Sequence, residues 1–153
     1  MPVAREIMSR EVVTVGPEMP VEELAALLWA KRISGAPVVD GEGRLVGVVT
    51  ESDLIDQAKK LHIPTAITIL EAVIFLERAG KVEEEVNKMA GSRVGDICTK
   101  KPVTVAPDTP LDEIATIMAE KHLHTLPVME GQRLVGVIGK SDIIRTLARP
   151  PQG

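Results

Sequence analysis

The chain spells one phrase twice: "GVVTESDLI" at residues 47–55 returns as "GVIGKSDII" at residues 136–144. The phrase closes a longer repeat. "VVTVGPEMPVEEL" (12–24) stands over "PVTVAPDTPLDEI" (102–114), and "GAPVVDG" (35–41) over "TLPVMEG" (125–131). The register holds at an offset of 90 until one residue is lost where "GEGRLVGVV" (41–49) meets "GQRLVGVI" (131–138), and is 89 thereafter. Over about 51 aligned positions roughly 20 are identical, far more than shared composition gives. The slip falls in a Gly-bearing turn, where a change of length costs least. The fold must therefore be two copies of one unit of about 50 residues.

Each copy reads β-α-β-β-α. A short apolar turn, "AREIM" or "VGDIC", precedes a β-branched strand, "VVTV" or "PVTV". Pro then opens a helix with acids in its first turn, over 20–32 and 110–122, with Pro at the first helical position. "APVVD" and "RLVGVVT" form a hairpin through the turn Asp40–Gly43. Ser52 or Ser141 then precedes an Asp and a second apolar helical run. One unit, with three strands, leaves an apolar sheet face open, so two should pack face to face as a pseudo-two-fold α/β (α+β) module. The expected organisation is repeat 1 over 1–58, a helical linker over 59–92, repeat 2 over 93–149 and a disordered tail over 150–153.

Composition narrows the function. A net charge of −4 argues against a nucleic-acid footprint, which needs a basic face. Trp29 and Phe75 are the only aromatics, so a flat ligand should be held by aliphatic side chains. Cys98 is the single cysteine; it excludes an intrachain disulfide, fits a reducing cytoplasm, and aligns with Met8 as a small apolar residue. Three histidines and one cysteine make no zinc set. No nucleophile–base grouping or P-loop emerges, so no enzyme is expected. The N-terminus has no apolar core of signal-peptide length, and "AITILEAVIFL" (66–76) carries Glu71 and is too short to span a bilayer. A cytoplasmic protein without membrane insertion is expected.

In this order the motifs resemble the CBS domain pair, or Bateman module. The residues that carry the resemblance are "TVGP…P…L" (14–24), "ISGAPVVD" (33–40) and "LVGVVTESDL" (45–54), with "TVAP…P…I" (104–114), "LHTLPVME" (123–130) and "LVGVIGKSDI" (134–143) in the second copy. The match covers roughly residues 3–58 and 92–148. The resemblance implies a stand-alone regulatory sensor with no required cofactor. It would bind an adenosine-containing ligand, of AMP, ADP or ATP type, in clefts between the repeats and pass ligand state to an effector protein. It also implies a homodimer.

Read without the family, Ser52-Asp53 and Ser141-Asp142 stand at helix starts, where they can cap free backbone N–H groups. The same place attracts anions, and a carboxylate there can accept from a ribose diol. Capping and binding do not exclude each other. The resemblance draws each cleft from both repeats. The first cleft would use Thr50, Ser52 and Asp53 with Val103, Thr104, Pro107, Leu123, His124, Thr125 and Pro127. The second would use Gly139, Lys140, Ser141 and Asp142 with Val13, Thr14, Pro17, Ile33, Ser34, Gly35, Ala36 and Pro37. The copies differ in charge: Lys140 stands where Glu51 does, and Gly139 lacks the Thr50 hydroxyl. The clefts should be inequivalent, with the intact "TESD" and His124 favouring the first.

Residues 59–92 have no second copy. Ile63, Ile67, Leu70 and Ile74 recur at helical spacing after Pro64. So broad an apolar helix is either a linker packed on its own module or a contact surface for a partner. It also supports a reading of different class: an interaction protein with vestigial clefts that acts through this insertion.

Overall fold

The computed structural model describes residues 1–60 and 92–148. The linker expected over 59–92 lies, but for its ends, outside the described residues, as does the tail over 150–153. The first repeat supplies α1 (Ala4–Ile7), α2 (Val21–Lys31), β1 (Gly35–Val39), β2 (Leu45–Thr50) and α3 (Glu51–Lys60). The second supplies α4 (Val94–Ile97), α5 (Leu111–Lys121), β3 (Thr125–Glu130), β4 (Arg133–Gly139) and α6 (Lys140–Ala148). Each hairpin is antiparallel, pairing Gly35 with Thr50 in one and Thr125 with Gly139 in the other. The first turn is closed by Asp40, whose Oδ1 accepts the N–H groups of Glu42 and Arg44, both at 2.9 Å.

The leading strand expected in each copy shrinks to one rung. Val15 bridges Val38 and Val105 bridges Val128, both in parallel. The bonds run from Val15 N–H to the Pro37 carbonyl at 3.0 Å and from Val39 N–H to the Val15 carbonyl at 2.9 Å. The rung before it needs a donor at Pro37, and the rung after it one at Pro17; neither proline has an N–H. Pro127 and Pro107 stop the second copy in the same way.

The helix-opening prolines stand one place earlier than expected. Pro20 and Pro110 are N-caps with extended backbone (ψ 146° and 155°) rather than first helical residues. The N–H groups that follow are bonded by the other repeat's leader: Val21 donates to the Ser92 carbonyl at 3.1 Å and Leu111 to the Pro2 carbonyl at 2.9 Å. Helix ends need such partners for their free donors.

Those bonds belong to an exchange. The leader of each repeat packs into the other repeat's core. Ala4 and Ile7 of α1 are buried with Val105, Ile114, Leu126, Val128 and Ile138. Val94 of α4 is buried with Val15, Leu24, Ala36, Val38 and Val49. The first N–H groups of α1 donate to Thr109 and Pro107, and those of α4 to Met19 and Pro17. Each leader then adds an outer rung to the foreign hairpin, Ser9 against Val137 and Thr99 against Val48. This crossing explains the glycine in the repeated "LVGV". A Cβ on Gly47 would lie 2.6 Å from the Thr99 carbonyl oxygen, and one on Gly136 would press into Met8.

Candidate ligand-binding clefts

Two cavities lie beside the first turns of α3 and α6. The first, of about 230 Å³, is lined by Thr50, Glu51, Ser52, Asp53, Thr99, Lys101, Val103, His122, Leu123, His124 and Thr125, among others. The second, of about 640 Å³, gathers Val13, Ile33, Ser34, Gly35, Pro37, Gly139, Lys140, Ser141 and Asp142, with Trp29, Arg32 and Arg145. Small-molecule sites typically span about 300–1,000 Å³, so only the second has that size as it stands. The sequence had favoured the first cleft; the dimensions favour the second.

Most residues expected in each cleft meet there. Six do not. Ala36 is wholly buried and faces the core, as strand alternation between Gly35 and Pro37 requires. Pro127 is fully buried, and the smaller first cavity reaches Thr125 but not Pro127. Pro17 and Pro107 turn their carbonyls to the N–H groups of Gly95 and Arg5 in the exchanged leaders. Thr104 is exposed outside the cleft, and Thr14 faces a separate open groove with Arg10, Arg44 and Arg133 between the hairpin ends.

Sequence reasoning missed Arg145, Arg32, Lys101 and Trp29. Trp29, 84% exposed on α2, lines the second cleft, so an aromatic surface is present where none was expected. Arg32 and His122 end α2 and α5 in the left-handed region (φ 55° and 53°), each beside a different cleft. Both residues are the C-caps of their helices, a place where a left-handed residue commonly ends the helix.

The two carboxylates are held differently. Asp53 Oδ2 accepts from the Thr50 N–H at 2.8 Å and the Thr50 hydroxyl at 3.2 Å, while the Asp53 N–H reaches back to Thr50 Oγ1 at 3.4 Å. This reciprocal pair is a capping box. Burial pushes the Asp53 carboxyl above the usual carboxylate value, the Thr50 bonds oppose that, and the charge of Asp56 adds to it. Asp142 is 6% exposed, with Oδ2 accepting from the Gly139 N–H at 2.7 Å. Its Oδ1 accepts from Arg145 Nη2 at 2.9 Å, and the same nitrogen reaches the Ile7 carbonyl at 3.2 Å. Ser52 and Ser141 lie inside the first turns of α3 and α6 rather than before them. Cys98 packs against the first core, and burial raises its thiol above the ordinary value. No group of three potential metal ligands occurs among the described residues, and none of their helices is long and apolar enough to cross a membrane.

Two interlocked α+β repeats, each closing on a helix whose first turn opens into a cleft, define a tandem-repeat module with two clefts. The chain belongs to the CBS domain family, whose pattern matches residues 4–60 and 94–149. Its fold is that of a CBS pair. It is 28% identical over 153 residues to an uncharacterised protein of Methanocaldococcus jannaschii, covering 94% of this chain and 89% of that one. It is 31% identical to the chloroplastic CBS domain-containing protein CBSX1 of Arabidopsis thaliana, covering 86% of this chain and 57% of the relative. Among solved structures it resembles CBSX2 in complex with AMP, with a TM-score of 0.72, 25% identity and 96% coverage of both chains.

Proposed function

We propose that the chain is a regulatory module that binds an adenine nucleotide in the second cleft, with the first as a weaker or differently selective site. The observation that carries this reading is the setting of Asp142: a buried carboxylate at the start of α6, opening into a cavity of about 640 Å³ beside the start of β1. There it is placed to accept from a ribose diol, while Ile33 and Pro37 offer apolar walls for a purine and Lys140 a cation for phosphate. That CBSX2 is solved with AMP supports the ligand class. Ligand joining elements of both repeats would change their relative freedom, and an effector protein would read the change. We further propose a homodimer: Ile55 and Ile144, at equivalent positions of α3 and α6, are 65% and 64% exposed, and Leu147 is 67% exposed beside the latter.

A thermal-shift panel of AMP, ADP, ATP, adenosine and S-adenosylmethionine tests the reading. At about 100 times its dissociation constant a ligand adds roughly 2.7 kcal/mol, which in a domain of this size raises Tm by on the order of 5–10 °C. A shift with an adenine nucleotide that disappears in Asp142→Ala is the expected result. A folded protein with no shift from any of them would move the reading to an interaction protein.

A further inference from the structure

The repeat places opposite charges around its two aspartates. At the offset of 89, Lys140 stands where Glu51 stands and Arg145 where Asp56 stands. Along its helix Asp53 is thus flanked by two further acids and Asp142 by two cations, while Lys101 lines the first cleft and Glu11 and Glu51 also line the second. The second arrangement is closed on itself: both oxygens of Asp142 are engaged, Oδ2 by Gly139 and Oδ1 by Arg145. Arg145 is nonetheless the accessible member of the pair, its side chain 53% exposed against 8% for Asp142.

A ribose hydroxyl arriving at Asp142 must compete with this guanidinium. An uncharged nucleoside that displaces it leaves Arg145 only the neutral Ile7 carbonyl, at 3.2 Å, in place of a carboxylate. A ligand carrying phosphate offers a replacement, since a guanidinium binds phosphate through two parallel N–H bonds as readily as it binds carboxylate. We infer that Arg145 determines the specificity of the second cleft: it guards Asp142 in the free protein and transfers to the phosphate of a bound nucleotide. The second cleft therefore takes phosphate-bearing adenosyl ligands and discriminates against the bare nucleoside. Among the described residues no cation bonds to Asp53, so the first cleft has no guanidinium to hand from carboxylate to phosphate and carries no preference of this kind. The inference rests on the proposal that the second cleft binds adenosyl compounds.

Calorimetry with AMP and with adenosine, in an Asp53→Ala background that silences the first cleft, tests it. AMP should bind more tightly than adenosine by on the order of ten- to a hundredfold, the range of one or two charge-assisted bonds. Arg145→Gln should weaken AMP by about tenfold or more and strengthen adenosine, because the competitor for Asp142 is gone. Arg145→Lys should restore most of the preference for AMP. Equal affinities in the parent, or an AMP-to-adenosine ratio unmoved by Arg145→Gln, would overturn the inference while leaving nucleotide binding intact. Equal weakening of both ligands would assign Arg145 to the support of α6 and overturn it too. A parent that binds neither would overturn the binding proposal itself.

Discussion

Thr50 and Asp53 bond to each other in both directions, hydroxyl and N–H to carboxylate at 3.2 and 2.8 Å and N–H to hydroxyl at 3.4 Å. The pair that the sequence offers to a ligand is thus already the cap of α3. Thr50→Ala removes the hydroxyl and should cost about 0.5–2 kcal/mol, read as a fall in Tm of several degrees. The equivalent Gly139 has no hydroxyl to lose, so this end of α6 is held by Asp142 and by the Lys140 N–H, which donates to the His124 carbonyl at 3.1 Å.

The same pair sets a pH dependence. The Asp53 carboxyl titrates above its unfolded value, chiefly because it is partly buried. The folded state therefore holds this proton more tightly than the unfolded state, and the group's contribution to stability falls as pH rises through its folded pKa. Asp53→Asn, which keeps an acceptor for the Thr50 N–H but carries no charge, should match or exceed wild-type stability at pH 7. Its advantage should disappear on acidification through the folded pKa of Asp53. Urea denaturation of both proteins across that window measures the difference; an advantage that grows toward low pH would contradict the assignment.

Asp142→Ala and Asp53→Ala should separate the clefts. Loss of Asp142 should weaken nucleotide binding by at least about tenfold, since it removes the acceptor proposed for the ribose diol. Loss of Asp53 should change the stronger binding step little. Calorimetric titration of each variant, after circular dichroism has shown it folded, distinguishes the two.

Gly47 and Gly136 occupy the same place in the repeat but meet different obstacles. A methyl at Gly47 runs into the backbone carbonyl of Thr99, whereas one at Gly136 meets the Met8 side chain, which can rotate. Gly47→Ala should cost about 1–3 kcal/mol and Gly136→Ala clearly less, by denaturant unfolding. Equal costs would mean that the leaders do not cross the hairpins as described.

Ile7 is 1% exposed, yet lies among the residues of the second repeat. Ile7→Ala should cost about 2–5 kcal/mol. Its signature is location: amide exchange should quicken in β3 and β4 more than in β1 and β2, although residue 7 is far closer in sequence to the latter.

The repeat, the helices, the hairpins and most of each cleft were legible because they depend on local pattern: periodicity, Pro and acids at helix starts, and turn residues. The leading strands were overread, since "VVTV" and "PVTV" carry β-branched residues but pair against Pro37 and Pro127, a fact visible only once the neighbour is known. Arg145 was missed for a related reason. The alignment that singled out Lys140 against Glu51 also sets Arg145 against Asp56, but only the fold turns Arg145 back onto Asp142. The leader exchange left one trace, the paired glycines of "LVGV", which name a close approach without naming what approaches.

Because α1 finishes the second core and α4 the first, a single repeat is not a foldable half. Severed from its twin, one copy would keep an apolar hollow where its partner's leader belongs and trail a leader with nowhere to dock. Two such copies could complete themselves only by trading leaders, as domain-swapped partners do. The duplication written in this sequence thus has the form of a covalent tether between two mutually completing polypeptides. Within that tether the two copies differ, one aspartate standing beside acids on its helix and the other beside bases.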